Sequence, residues 1–490
     1  MIYQFSALDY NKLTMEYSHL TIPKHIKRKL DADNQNIIVR FPPEPSGYLH
    51  LGHIKALYIN ACVAKHYNGT LIVRFDDTNP ILESNEFEKA ILEDLKTLHI
   101  DTSGVSYTSD YFDQLIAYAE LLISKGLAYV DLTDVEQMRE MRETSTSSNY
   151  RDETIDVIME RWKLMKSNKD QKTNGVLRLK TDLCHKNKAM RDPTIYRSVD
   201  SLHHRTGDRF RVYPTYDFSC PIIDSIQNVT HVFRSVEYNE RIDQGDFILD
   251  NLGLRKPLYY HYGRISIKDA ELSKRKIKAG ILAGQYEGWN DLRLYTFRSL
   301  LRKGIRFSAI EEFMKETSYS NGDVTLDPSK LWQINKRHID PISSRYMVIE
   351  PSYKIFKVEC EHKSKEIPKY VKNLDLGYRQ IFYDNEILIS DQINTPVCLM
   401  NWGSKLSMKE LNGQLYRTQE EASQYVPWVT SKYIEVQIIQ VIGNQLIQQN
   451  YLGEEAMRDI KIGDYIQLLQ KGYYICENIS LNAIKLINIC

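Results

Sequence analysis

The rhythm of apolar and polar positions changes four times from residue 35 onward. From residue 35 to about 133, short apolar runs alternate with stretches of helical spacing. Ile37, Ile38, Val39 and Phe41 form one run, and Thr70 to Phe75 another, each the length of a buried strand. Tyr48 to about Tyr67 reads as a helix stopped by Asn68-Gly69, and Glu86 to Leu98 as a second. Tyr111 to Lys125 reads as a third, with Leu115, Tyr118, Ala119 and Leu122 on one face and Gly126 at its end. Strands alternating with helices predict a parallel sheet with helices on both faces. Ligands of such sheets bind beyond the carboxyl ends of the strands.

From about 134 to 210 the pattern turns polar. A low-complexity joint (Thr144 to Asn149), a charged helix (Asp152 to Lys166) and a second polar stretch (Ser167 to Asn174) precede the short run Val176 to Lys180. This segment reads as an insertion between two halves of the sheet domain. The sheet pattern resumes at 212–218. It continues as a helix from Pro221 to Gln227, a strand from Thr230 to Val236, a helix from Glu237 to Asn251 and a strand from Tyr259 to Ile267. Residues 290 to about 340 are helical and basic; Arg293, Arg298, Arg302, Lys303, Arg306 and Lys336 to His338 are expected to follow phosphates. Beyond Pro341 come short runs rich in Val, Ile and Tyr, divided by Gly, Asn and Lys, which is the pattern of an all-β domain. The expected divisions are a polar, solvated extension (1–34), the first half of the sheet domain (35–133), the insertion (134–210), the second half (211–289), a helical connector (290–343) and the β-rich region (344–490).

Composition refines this picture in three places. The 490 residues suggest three or four domains. Lys plus Arg and Asp plus Glu both number 64, so any nucleic-acid surface must be a local patch. Seven scattered cysteines without a C-x-x-C pair argue against a zinc site and fit a reducing compartment. With neither a secretory leader pattern nor a long apolar run, a cytoplasmic monomer without membrane contact is expected.

Candidate chemistry begins where the first strand ends. Pro42, Pro43 and Pro45 stop the strand, since proline cannot donate to a sheet ladder, and Ser46-Gly47 turns the chain into a helix. A strand, a bent loop and a helix N-terminus together make an anion site. His50 and His53, three apart, share a face there and can donate to phosphate oxygens. Gly52 between them lets a flat base or ribose approach the backbone. The pair could also bind zinc, but no third ligand lies nearby and H-E-x-x-H is absent. At the end of the second strand, an Asx-turn into Asn79-Pro80 accounts for Asp77 and leaves Asp76 free.

His50-Leu-Gly-His53 resembles the His-x-Gly-His signature of class I aminoacyl-tRNA synthetases. The longer blocks Phe41 to His50, Arg74 to Pro80 and Met190 to Arg197 resemble the glutamyl/glutaminyl branch in its eukaryotic and archaeal form. At 271–275 the family's Lys-Met-Ser-Lys-Ser stands as Glu-Leu-Ser-Lys-Arg, with the Ser-Lys pair kept and Glu271 in place of the first Lys. The resemblance implies a Rossmann-like α/β catalytic domain, an insertion that grips the tRNA acceptor end, a helical linker and an anticodon-binding region of β-barrels. It implies ATP with Mg²⁺, L-glutamate and tRNA(Glu) as ligands. Glutamate would be activated to glutamyl-adenylate, in a tRNA-dependent way, and passed to the 2′-hydroxyl at the tRNA 3′ end. Pro43, Glu44, His50, Gly52, His53, Arg264, Ile265, Leu272, Ser273 and Lys274 would bind ATP, and His50, His53 and Lys274 would be catalytic.

For the amino acid, Arg40 can pair with a carboxylate in fork geometry, Asp76 can neutralise the α-ammonium, and Tyr216 can orient the side chain. Glutaminyl enzymes of this type carry Thr-His-Cys where this chain has Ser219-Cys220-Pro221, and Cys at the position of Arg234. Glutamate and glutamine are nearly isosteric, so charge must tell them apart. A partly buried Arg234 is satisfied by the acid and stranded by the amide, at about 3–5 kcal/mol. Alternatives are a glutaminyl enzyme, a tRNA-modifying paralogue (opposed by the β-rich tail) and an inactive tRNA-binding scaffold (opposed by the intact His50, His53, Asp76 and Lys274).

Overall fold

A computed structural model describes residues 24–32, 36–100, 104–167, 175–317, 322–360, 363–390, 396–402, 407–422 and 424–489. Two compact units account for the described residues. One holds 24–282 and Met314–Leu326, the other Ala283–Phe313 and 327–489.

In the first unit, strand Ile38–Phe41 pairs in parallel with Thr70–Phe75, which pairs with Val105–Tyr107. His231–Ser235 pairs in parallel with Leu258–Tyr262. These two groups meet at one seam, where the Thr230 amide donates to Ile38 O at 2.9 Å and the Ile38 amide donates to Thr230 Oγ1 at 2.8 Å. The strands beginning at 38 and 231 are therefore neighbours, although most of the insertion separates them in sequence. The chain leaves the first strand in one direction and the fourth in the other. This is a topological switch point, where a crevice opens beyond the strand ends.

Several boundaries differ from the expectation. Val212–Pro214, assigned above to the parallel sheet, and Ala128–Asp131, within the span given to its first half, instead flank the insertion's strands in a four-stranded antiparallel sheet with Val176–Leu179 and Thr194–Ser198. Short apolar runs carry no signal of strand direction, which explains the error. Among its described residues the insertion shares a core with both halves: Trp162, Leu177 and Tyr196 pack in one cluster with Tyr129 from the first half and Phe218, Ile222 and Ile248 from the second. The helix expected from Pro221 begins at Tyr216 and runs to Ile226, with Pro221 inside it. Burial of Phe218, Ile222 and Ile223 holds the helix through the missing proline N–H. The single strand expected at 259–267 is two, Leu258–Tyr262 and Ile265–Ile267, and the second pairs with Val324–Leu326. Within the extension, Lys24–Ala32 is a helix with Ile26 and Leu30 buried; the rest of 1–34, apart from that helix, and the polar stretch 168–174 lie outside the described residues.

In the second unit, short helices precede two β-rich bodies. One is a seven-stranded sheet around Val436, Ile466 and Leu486, the other a six-stranded sheet around Phe356, Ile387 and Trp428.

Candidate active site

At the switch point lies a cavity of about 560 Å³, lined from the first strand by Arg40, Phe41 and Pro42 and from the fourth by Phe233, Arg234 and Ser235. Of the expected ATP ligands, Pro43, Glu44, His50, Gly52, His53, Arg264 and Ile265 line it, and so do the expected glutamate ligands Arg40, Asp76, Tyr216 and Arg234. Leu272, Ser273 and Lys274 are not among the lining residues. Lys274 nevertheless donates from Nζ to Glu44 O at 2.8 Å and Ser46 Oγ at 3.3 Å, against the loop that frames the cavity.

The end at the helix N-terminus is built by capping. The helix starts at Leu51, later than Tyr48, because His50 is its N-cap. His50 Nδ1 accepts from the Gly52 amide at 3.0 Å, and His53 Nδ1 accepts from the His50 amide at 3.2 Å. Both Nδ1 atoms are acceptors, so in each neutral ring the proton sits on Nε2. Burial, reinforced by Lys274, lowers His50 to about 3; burial, His50 and Lys274 lower His53 as well. Two neutral imidazoles 3.8 Å apart thus offer Nε2–H donors at a helix N-terminus. Gly52 has a role beyond ligand approach: a Cβ there would meet His50 Cε1 at 2.9 Å. Burial also lowers Lys274 to about 8, against the pull of Glu44 and Glu83. Glu271 accepts from the Ser273 amide at 2.7 Å and pairs with Lys276 at 3.2 Å, so it braces the turn into the helix that Lys274 begins.

The other end gathers charge. Arg234 is half-buried: Nε donates to His261 Nε2 at 3.3 Å, and the guanidinium lies 4.5 Å from the Tyr259 ring centre. Its Nη2 is buried with no hydrogen-bond partner. Burial, then the charge of Arg234, lowers His261 to about 4, which keeps that ring neutral and able to accept. Arg40 is 1% exposed, and its fork is already engaged in part: Nε donates to both Asp224 oxygens at 3.2 Å, Nη1 to Phe233 O at 3.4 Å and Nη2 to Cys220 Sγ at 3.6 Å. One N–H on each terminal nitrogen remains for a ligand. Burial and neighbouring Glu44 push Asp76 up to about 7.

The Asx-turn expected of Asp77 does not form. Asp77 Oδ1 accepts from the Ser109 amide at 2.8 Å, and Glu83 Oε1 takes the Asn79 amide at 2.8 Å. Glu83, His203 and His204 bring possible metal-ligand atoms within 4.8 Å. His203 is already saturated, with Nε2 bonded to Asp77 O at 2.8 Å and Nδ1 accepting from the Arg205 and Thr206 amides. Two further lining residues carried no sequence signal. Lys55 donates to Gly263 O at 2.5 Å, and Glu237 pairs with Arg264 at 2.8 Å.

In the second unit much of the expected phosphate-tracking charge is engaged internally. Arg293 pairs with Asp291 at 2.6 Å, Arg302 with Glu477 at 2.7 Å, and Arg337 and His338 with Glu312, while Lys303 is 6% exposed and donates to Leu294 O. Net basicity in a segment does not reveal acids that fold against it from elsewhere. A second cavity of about 430 Å³ brings Trp332, Lys336, Gln467, Gln470 and Tyr473 together.

The fold and cavity are those of an aminoacyl-tRNA ligase catalytic domain, and the chain belongs to the class I tRNA synthetases (E and Q), whose catalytic-domain model matches residues 36–341. Among curated relatives, it is 35% identical to the probable cytoplasmic glutamate–tRNA ligase of Encephalitozoon cuniculi, over 92% of this chain and 75% of that protein. It is 33% identical to the cytoplasmic glutamate–tRNA ligase of Arabidopsis thaliana, over 91% of this chain and 68% of that one. With the bifunctional glutamate/proline–tRNA ligase of Mus musculus the identity is 34% over 91% of this chain, which spans 32% of the mouse protein. A crystal structure of the Elizabethkingia anophelis glutamate–tRNA synthetase aligns with a TM-score of 0.42 at 20% identity, covering 62% of this chain and 71% of that one.

Proposed function

We propose that this chain is a cytoplasmic glutamate–tRNA ligase that activates L-glutamate with ATP, releases pyrophosphate and transfers the glutamyl group to the 3′ end of tRNA(Glu). The observation that carries the acid specificity is the buried Arg234 Nη2 without a partner on the wall of the cavity. A γ-carboxylate satisfies that donor and its charge, whereas an amide answers the hydrogen bond and leaves the charge. The rival glutaminyl reading has no residue here to favour a neutral side chain over an acid.

Adenylyl transfer asks for positioning and for donors where charge develops. His50 and His53 donate from Nε2 to phosphate oxygens at the helix N-terminus. Lys274 leaves Glu44 O and Ser46 Oγ to meet the leaving pyrophosphate. Arg40 and Arg234 fix the amino acid's carboxylates, Asp76 in its charged form holds the α-ammonium, and Tyr216 packs beside them. Mg²⁺ is a hard cation held by oxygen. Glu44 and Glu237 on the same wall would hold it through their carboxylate oxygens, and it would supply charge neutralisation there. The cavity of Trp332, Lys336, Gln467 and Tyr473 has the stacking faces and amide donors suited to an unpaired tRNA base. The domain limits given above, including the acceptor-end insertion and the anticodon-binding β region, are part of this proposal.

The test is ATP–pyrophosphate exchange with glutamate and glutamine side by side, each with and without tRNA. Exchange driven by glutamate in the presence of tRNA is the expected result; glutamine-driven exchange of equal or greater rate overturns the reading.

A further inference from the structure

Behind the amino-acid end of the cavity lies a buried group the reaction above does not use. Asp224, Arg40 and Arg74 are each 1% exposed. Asp224 follows Cys220 by one helical turn on Tyr216–Ile226, so the two side chains share a face. That face meets both arginines. Arg74 Nη2 donates to Asp224 Oδ1 at 2.6 Å and to Cys220 Sγ at 3.4 Å, and its Nη1 donates to Gln227 Oε1 at 2.8 Å. Arg40 contacts the same carboxylate and the same sulfur. Only Arg40 of these residues reaches the cavity wall.

The charges do not cancel. Burial opposes ionisation of Asp224, but the two guanidiniums outweigh it and hold the carboxyl below its usual range. Burial, then the Asp224 charge, raises the Cys220 thiol, which stays neutral. Among these side chains two cations and one anion leave one positive charge in excess; Asp76, whose carboxyl Arg74 pulls down against burial and Glu44, is the further acid within its field. Uncompensated buried charge is strongly unfavourable, which favours an anion at the free edge of Arg40.

We propose that Asp224 and Arg74 are positioning and specificity-determining residues: Asp224 fixes Arg40 with its free N–H edges toward the cavity, and Arg74 keeps the buried triad one charge short of neutrality, so that a substrate carboxylate is required to balance it. This rests on the glutamate-activating reading and deepens it. Acid preference then has two sources: Arg234, which touches the substrate, and Arg74, which acts only through Asp224 and Arg40.

The excess can be removed by two independent routes. Arg74→Met deletes a cation that does not line the cavity, and Cys220→Asp adds an anion between the two guanidiniums. Arg74→Lys keeps the charge as a control. Each is read by thermal unfolding and by KM and kcat for glutamate, glutamine and ATP in pyrophosphate exchange with tRNA present. In R74M and C220D the glutamate KM should rise about tenfold, from loss of one charge at short range, while the ATP KM stays put and the glutamate-to-glutamine preference falls. R74K should keep most of the preference. A purely structural role would move ATP and glutamate constants together, and that result, or an unchanged preference in folded variants, overturns the inference. So does failure of both neutralised variants to fold while R74K folds, since the triad is then only a folding element. A wild-type chain that does not exchange with glutamate at all refutes instead the reading on which this one stands.

Discussion

On the proposed reading, the two ends of the cavity bind anions by opposite means. At the helix N-terminus the side chains are already held in place: His50 and His53 each accept a backbone amide at Nδ1, which leaves Nε2–H for a ligand, and Lys274 rests on Glu44 O and Ser46 Oγ. Its donors are neutral rings on a helix N-terminus, held in shape before any ligand arrives. At the amino-acid end Arg234 keeps a buried nitrogen without a partner, and Arg40 belongs to a triad with excess charge. One end would work by preformed geometry, the other by a charge deficit that the substrate fills. Changes of charge should therefore be felt most at the amino-acid end, and changes of shape at the phosphate end.

The largest effect expected is on the charge deficit. Arg234→Met strands the γ-carboxylate of glutamate at a cost of about 3–5 kcal/mol. It should lower kcat/KM for glutamate by more than a hundredfold while leaving the ATP KM near the wild-type value. An equal loss for both substrates would show that position 234 does not separate the two ends. Next comes Lys274→Ala, which removes a donor aimed at developing charge. Removal of one such donor costs about a hundredfold or more in kcat, with little change in ATP affinity, measured by pre-steady-state adenylate formation. A loss confined to ATP affinity would make Lys274 an anchor of the ground state.

Titration offers a milder perturbation that separates the ends without mutation. In the proposed reaction Asp76 holds the α-ammonium in its charged form, and it is pushed up to about 7. Lowering the pH through 7 protonates it, so kcat/KM for glutamate should fall about tenfold per unit on the acid side. Lys274, brought down to about 8, loses its charge as pH rises through that value, which gives a falling alkaline limb. His50, at about 3, does not titrate in this window. The profile should peak between the two values, and Asp76→Asn should flatten only the acid limb. An acid limb that survives in Asp76→Asn would assign it to another group.

The two ends were also unequally legible in the sequence. The phosphate end is local: Pro42, Pro43 and Pro45, the turn, His50, Gly52 and His53 lie within one stretch, and their spacing alone defines an anion site. The amino-acid end is assembled from strand ends near 40, 76 and 234 and a helix start at 216, and it became legible through family blocks more than through periodicity. Asp224 stands three residues beyond Ser219-Cys220-Pro221, yet its partnership with Arg40 spans 184 positions and has no local signature. The same holds for Ala128–Asp131, whose pairing with Val176–Leu179 decided its sheet. Charge read along the chain failed in the connector for a related reason. Asp291 beside Arg293 was visible, but Glu477 against Arg302 was not.

The smallest effect expected concerns shape at the phosphate end, and it sharpens the comparison because no charge changes. Gly52→Ala puts a methyl group 2.9 Å from His50 Cε1 and 3.1 Å from its Nδ1, closer than packed carbon and nitrogen atoms allow. The helical backbone at 52 accepts alanine readily, so the strain falls on the imidazole. The ring must turn, and the Gly52 amide loses the acceptor that fixes His50 as its Nε2–H form. The donor then points away from the phosphate oxygen it serves, at a cost of about 1–2 kcal/mol for one misaligned hydrogen bond, roughly tenfold in kcat. Glutamate KM and the preference over glutamine should not move, because no group of the charge-deficient end is touched. If Gly52→Ala lowered that preference, the two ends would be coupled through the strand between Arg40 and the loop, and the division drawn here would fail.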